Sequence, residues 1–215
     1  MKIILASGSP QRAKLLKQLG VSFRIDPSSA DESIENNQTP EQIVKGLSLM
    51  KATDVASRHA GSFLIAADTI VVLGDEILGK PDDKKQAKRM LRRLSGRTHS
   101  VFTGVRLLKI ASDGKIMDKC TFCEKTLVTF STLTDFEIDR YIARTKPYDK
   151  AGSYGIQDDL GCLFVERIEG DYYNVVGFPV NQFYRQLKNF EPDLSASIFE
   201  VDGHKNLNSF TENEI

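Results

Sequence analysis

From Phe63 to Leu73 the chain reads Phe-Leu-Ile-Ala-Ala-Asp-Thr-Ile-Val-Val-Leu, and the one carboxylate in that run is Asp68. The segment is rich in β-branched residues and ends at Gly74-Asp75, a good turn, so it reads as a buried strand. Alternation sets Asp68 on the face of Leu64, Ala66, Ile70 and Val72. An unpaired carboxylate there is costly unless it meets a cation or a metal. Burial raises its pKa and a cation lowers it, and either suits a base or a metal ligand. The plainer alternative is an Asp capping a loop at a strand end.

Around this strand the pattern alternates between periods. Residues 2–6 are a short apolar strand, followed by Ser7-Gly8-Ser9-Pro10 and a helical stripe of Ala13, Leu15, Leu16 and Leu19. Ser9 suits an N-cap, Pro10 the first helical position and Gly20 the stop. Phe23–Asp26 reads as a second short strand, and residues 28–38 as a polar loop. Thr39 with Gln42, and Thr134 with Glu137, form capping boxes that start helices. Residues 82–95 form a basic amphipathic helix, and 101–110 with 116–130 a long hairpin around Ser112-Asp113-Gly114. Cys162–Ile168 and Tyr172–Val176 read as strands around Gly170-Asp171, and Pro179 opens a helix to about Phe190. Residues 193–215 are polar and weakly patterned, which predicts a tail outside the core. Helices interleaved with strands and hairpins predict an α/β protein with a mixed sheet, organised as a domain over 1–190 and a polar C-terminal tail over 191–215.

Composition excludes whole classes. With 29 Lys+Arg against 29 Asp+Glu, the chain lacks the basic excess of a nucleic-acid coat or a membrane-surface patch. No nucleic-acid or membrane partner is expected. The apolar start is too short for a signal peptide, and no run approaches the length of a membrane span. Cys120, Cys123 and Cys162 are too few for a four-Cys zinc site and are expected to be reduced thiols in a cytoplasmic protein.

Other residues with chemical potential cluster in four places. Ser7-Gly8-Ser9-Pro10-Gln11-Arg12 lies between a strand and a helix N-terminus, where free N–H groups, hydroxyls and a guanidinium suit a phosphate. A plain capped turn is the simpler reading, and neither a Walker A loop nor a dinucleotide fingerprint occurs. Lys51 sits on an apolar helix stripe, Lys80 in a tight Gly-Lys-Pro turn, Arg97 just past a helix end, and Lys150 before Ala151-Gly152. Singly each reads as a snorkelling or solvated side chain; together they suit a polyphosphate. Gly152-Ser153-Tyr154-Gly155-Ile156-Gln157 offers a stacking ring and an amide able to read a base edge. His59, His99 and His204 fit no metal spacing, and His99 reads as structural.

Taken in order, several segments resemble the Maf family of nucleotide pyrophosphatases. They are Leu5-Ala6-Ser7-Gly8-Ser9-Pro10-x-Arg12, Lys51-Ala52, Ala67-Asp68-Thr69-Ile70-Val71, Gly79-Lys80-Pro81 and Leu94-Ser95-Gly96-Arg97-Thr98-His99-Ser100-Val101. Thr103-Gly104-Val105, Asp149 through Gln157, and Asn174 through Pro179 complete the set. The resemblance spans about residues 2–190. It implies an α/β fold related to the inosine-triphosphate pyrophosphatases (the Maf/Ham1 fold), an elongated mixed β-sheet with flanking helices and a central cleft. It also implies hydrolysis of a nucleoside triphosphate to the monophosphate and pyrophosphate with a divalent metal cation, Mg2+ or Mn2+. Homodimers are a further expectation. The Tyr-Gly-Ile-Gln segment resembles the subfamily acting on dTTP and UTP, with modified pyrimidine nucleotides as further candidates.

Carried over by position, Asp68 matches the family's catalytic base. Ser7, Arg12, Glu32, Lys51, Lys80 and Lys150 match substrate-binding positions, and Gln11, Thr69 and Gln157 specificity positions. No residue is singled out as a metal ligand. Two departures stand out: Gln11 replaces the first of two family arginines, and Asp158-Asp159 follows Gln157 where the family usually has Gly. The mechanism implied is attack by water on the α-phosphorus, with Arg12, Lys51 and Lys80 on the triphosphate and Asp68 on the water. The alternative is a nucleotide-binding regulator of division or growth with weak or no turnover, for which Gln11 would be the mark.

Overall fold

The computed structural model describes residues 2–30 and 37–199. Its elements run β1 (Lys2–Leu5), α1 (Pro10–Gln18), β2 (Arg24–Ile25), α2 (Pro40–Ala56), β3 (Ser62–Leu73), β4 (Glu76–Leu78) and α3 (Lys84–Leu94). They continue with β5 (Thr98–Ile110), β6 (Ile116–Phe130), α4 (Asp135–Thr145), β7 (Val165–Glu169), α5 (Tyr172–Val176), α6 (Val180–Phe190) and α7 (Pro192–Ser197). Local chemistry sets many boundaries. Thr39 and Thr134 each close a full capping box, Asp83 caps α3 through the Gln86 N–H, and Gly74 turns β3 into β4 at φ 62°.

The sheet is ordered β2-β1-β3-β5-β6-β7, with β4 added to β3. β1 is parallel to both neighbours, and every other pairing is antiparallel. The expected mixed α/β sheet with flanking helices is therefore the observed one. β3 is covered on both faces, as its apolar run requires. Phe63, Ile65 and Ala67 pack with α1 and α6 through Leu16, Phe183 and Leu187. Leu64 and Ala66 meet Ala52 and Val55 of α2, while Ile70 and Val72 meet its Val44 and Leu47. Val71 joins a further cluster with Leu91 of α3 and Ile142 of α4. Each buried Val, Leu, Ile or Phe among them contributes about 1.5–3 kcal/mol.

α2 approaches the sheet very closely at one point. A Cβ on Gly104 would lie 2.3 Å from the carbonyl oxygen of Val44, so only glycine fits there. Gly104 is the β5 partner of Asp68 in the ladder, so the close approach brings α2 down beside that carboxylate.

Three expectations need revision. Tyr172–Val176 is a helix, not a strand: Asp171 accepts from the Tyr173 N–H and caps it, and buried Asn174 donates to Val101 O and Thr126 Oγ1. Those bonds override the strand preference of Tyr and Val. The expected strand from Cys162 begins only at Val165, with a 3-10 turn over Gly161–Leu163 before it. The segment after Pro192 does not leave the core at once, since Leu194 and Ile198 pack on the cluster around Phe63 and Phe183. Residues 200–215, the rest of the expected tail, lie outside the described residues. Among the described residues no helix is long and apolar enough to cross a membrane.

Candidate active site

β1 stops pairing with β3 at Ile65, and β4 starts pairing at Val71. Between these points the edge of β3 faces a cleft of about 430 Å³, a size suited to a small ligand. Successive strand side chains point to opposite faces, so Asp68 and Thr69 cannot line one cleft inside a sheet. At a gap in the sheet edge they can, and both do. The cleft also lies past the C-terminal end of β1, flanked by α1 on one face and α2 on the other. That is the switch point at which open α/β sheets bind ligands.

On the α2 face, Lys51 donates to Asp68 Oδ1 in a salt bridge whose two side chains are each 12% exposed. The apolar stripe that carries Lys51 is what presses it against β3, and Gly104 permits the approach. This pairing answers the cost of placing Asp68 in an apolar strand.

On the other face, Arg12 is buried and acts as a hub. Its Nη1 donates to Ser7 Oγ, its Nη2 to Thr69 Oγ1 and its Nε to Gly177 O, each at 2.9 Å. Thr69 Oγ1 also lies 2.9 Å from Thr103 Oγ1. One guanidinium thus ties β1, β3 and the turn after α5 into a single wall. Ser9 is the N-cap of α1 but makes no side-chain cap bond, and its N–H donates to Ser7 Oγ at 3.3 Å. Gly177 was not marked as a site residue from the sequence. The signal for it was the Asp171 cap followed six residues later by a glycine, here at φ 122°.

The third wall is the loop after α4. Gly152 and Ser153 both adopt left-handed backbone, at φ 69° and 65°, which swings Lys150 and Gln157 toward one cleft. Lys150 pairs with Asp149 at 2.9 Å and with Asp158 at 3.6 Å. Gln157 Nε2 donates to Asp158 Oδ1 at 3.4 Å. Asp158 Oδ2 accepts from Tyr141 Oη at 3.0 Å, and Tyr141 Oη accepts from the Gly155 N–H at 3.0 Å. Burial and the neighbouring Asp158 push the Tyr141 phenol well above its usual pKa, so it stays a donor.

Ser7, Gln11, Arg12, Lys51, Asp68, Thr69, Lys80, Lys150 and Gln157 all line this cleft. Glu32 lies outside the described residues. Arg97 does not join them: it is exposed at the start of β5. Tyr154 is no free stacking platform. Its hydroxyl bonds His99 Nε2 at 2.8 Å, and its ring packs against Phe130 at 4.8 Å. The cysteines are free thiols, with burial pushing Cys123 up to about 11.

Among the described residues Asp68 and Asp149 are the carboxylates on the cleft wall, and Ser7 and Thr69 add hydroxyl oxygens. Among the described residues no group of three or more His, Cys, Asp or Glu side chains forms a metal cage. This donor set fits a hard cation that keeps ligands from a phosphate and takes one carboxylate from the protein.

A family model described as "Maf-like protein" matches residues 2–190. A dTTP/UTP pyrophosphatase of Bacillus anthracis is 50% identical over 194 residues, covering 90% of this chain and 98% of that protein. The dTTP/UTP pyrophosphatase of Bacillus mycoides (strain KBAB4) is 49% identical over the same shares. Among solved structures, a HAM1 protein from Coxiella burnetii is 16% identical with a TM-score of 0.41, covering 60% of this chain and 73% of that one.

Proposed function

The chain belongs to the family of Maf-like proteins, and from that premise we propose that it is a nucleoside triphosphate pyrophosphatase acting on dTTP and UTP. The products are the nucleoside monophosphate and pyrophosphate. The observation that carries this reading is the Lys51–Asp68 pair set at a gap in the sheet, inside a cleft that also holds Arg12, Lys80 and Lys150. Sequence identity of 50% and 49% over 90% of the chain with relatives named for that activity supports it.

Each wall has a task in this reading. Ser7, Arg12, Lys51 and Lys80 hold the triphosphate, and their charge meets the negative charge that builds on departing pyrophosphate. Asp68 orients the attacking water at the α-phosphorus and takes its proton. Lys51 fixes Asp68 while keeping ammonium protons for a phosphate oxygen. Positioning and electrostatics carry most of the acceleration in phosphoryl transfer, so no covalent nucleophile is needed. Asp68 is the side chain that would hold Mg2+ or Mn2+ beside the nucleotide, and the ion would supply charge neutralisation. Thr69 and Gln157 meet the nucleoside end. Glu32 and Gln11 belong to the same site by position in the family pattern, and Gln11 lines the cleft wall.

The test is pyrophosphate release from dTTP, UTP, CTP, 7-methyl-GTP and modified pyrimidine nucleotides with Mg2+ or Mn2+, beside an Asp68→Asn control. Activity on dTTP and UTP that vanishes in the control is the expected result. Binding without turnover on any nucleotide would overturn it in favour of a nucleotide-binding regulator.

A further inference from the structure

A second cavity, of about 340 Å³, lies between β4 and α3, and Lys80 lines both it and the cleft. From α3 it takes Gln86, Arg89, Met90 and Arg93, whose spacing of three and four residues puts them on one stripe. Two contacts hold this groove against the loop that carries Lys150. The Gly152 N–H donates to Gly79 O at 3.0 Å, and Ser153 Oγ donates to Met90 Sδ at 3.0 Å. The groove presents donors and has its acceptors taken. Arg93 forks onto both oxygens of Glu76, at 2.7 and 2.5 Å. Gln86 Oε1 accepts from the Asp82 N–H, so the amide hydrogens are the end left over. Of the three arginines of α3, Arg92 bonds Asp135 and Arg93 bonds Glu76, whereas Arg89 has no hydrogen bond or ion pair among the described residues. Lys80 has none there either. One such cation reads as a solvated side chain. Two around one cavity, with an amide donor beside them, concentrate positive charge in a chain whose charges otherwise balance, and an anion is what meets it.

We propose that this groove is a subsite for the far end of a phosphate chain longer than a triphosphate, with Arg89 as a substrate-binding residue, so that the protein also cleaves nucleoside 5′-tetraphosphates. Lys80 is the residue the two cavities share. A chain held there by its γ-phosphate would carry its next phosphate into the groove, toward Arg89 and the Gln86 amide. The step itself is unchanged. The water oxygen bonds to the α-phosphorus, and the bond from that phosphorus to the α,β-bridging oxygen breaks. The electron pair leaves with tripolyphosphate, and the water proton goes to Asp68. The products are the nucleoside monophosphate and tripolyphosphate. This inference rests on the pyrophosphatase reading given above and widens its substrate class.

Binding is measured first, so that the subsite is tested apart from turnover. The probes are the α,β-methylene analogues of uridine 5′-triphosphate and uridine 5′-tetraphosphate, titrated calorimetrically with Mg2+ into the full chain. The wild-type protein is expected to bind the tetraphosphate about tenfold more tightly, the scale of one added charge-assisted hydrogen bond. Arg89 is exposed, so Arg89→Gln leaves the core alone, and it should bring the ratio to within about threefold. Arg92→Gln removes the same charge from the same helix but off the groove, and should keep the ratio. Equal wild-type affinities would overturn the proposal, as would an unchanged ratio in Arg89→Gln. An equal loss in Arg92→Gln would also overturn it, since the field of a basic helix would then be the whole effect. Ion chromatography of the products from uridine 5′-tetraphosphate itself should show UMP and tripolyphosphate. UTP cleaved with the tetraphosphate left intact would sink the added activity. Tighter tetraphosphate binding with no turnover of UTP would keep the subsite and sink the hydrolase reading on which cleavage rests.

Discussion

Asp68 and His99 are buried titratable side chains on adjacent central strands, yet they live in opposite surroundings. Asp68 opens onto the cleft and is held by Lys51. His99 is enclosed by the rings of Phe130 and Tyr154, at 5.1 and 5.4 Å, and bonds the Tyr154 hydroxyl. Its burial pushes its pKa down from 6.5 to about 4. The difference teaches that burial alone does not mark a catalytic group. What separates the two is an opposite charge paired with an open side toward a ligand.

That contrast can be broken most sharply at Asp68. Asp68→Asn should lower kcat by about a thousandfold or more, the scale of a lost general base with its orienting role. Its melting temperature should stay within a few degrees. A variant that keeps turnover would put the base elsewhere.

The next largest effect belongs to His99 and appears in stability against pH. Its folded pKa lies below the unfolded value, so between pH 6.5 and about 4 the unfolded chain binds more protons. The stability from keeping it neutral is complete above pH 6.5 and is lost as pH falls toward 4, about 3 kcal/mol in all. Denaturant titrations at pH 7 and pH 5 should show a smaller drop in His99→Leu than in wild type. An identical drop would show that other groups carry the acid sensitivity.

A third test acts on the Asp68 side alone. Gly104→Ala forces α2 away from β5 at Val44 O and with it shifts Lys51. Overpacking of this kind costs about 1–3 kcal/mol. If α2 is the element that aims Lys51, kcat/KM for UTP should fall beyond what the lost stability explains. The smallest effect is expected from Thr39→Ala, which removes the α2 cap for about 1 kcal/mol in urea titrations and leaves the Lys51–Asp68 geometry in place.

Much of this was legible because the deciding signals are local. A carboxylate in an apolar β-branched run declares a partner, and the partner's own oddity, Lys51 on an apolar stripe, was visible too. The two capping boxes needed only four residues each. What was hidden depends on contacts distant in sequence. Tyr172–Val176 reads as strand until Asn174 is seen to bond Val101 and Thr126. Tyr154 reads as a stacking ring until His99 claims its hydroxyl. Arg97 reads like the other cations, but it sits at the exposed start of β5, off the cleft wall. Asp158 stands out in the sequence only as a departure from the family's usual glycine, whereas in the fold its carboxylate accepts from Tyr141 and pairs with Lys150.

The break in pairing along β3 has a consequence for how such a protein changes. The five residues from 66 to 70 lie between the last β1 pair and the first β4 pair, a frame roughly 17 Å long at the rise of an extended chain. Its ends are set by where two neighbouring strands stop, not by any side chain within it. Two more paired residues on β1 would cover Ala66 and Ala67 and cut the opening from five residues to three. Strand length therefore acts as a ruler for the ligand, and an insertion or deletion beside Ala6 or Leu78 would alter what fits before any residue on the cleft wall changed.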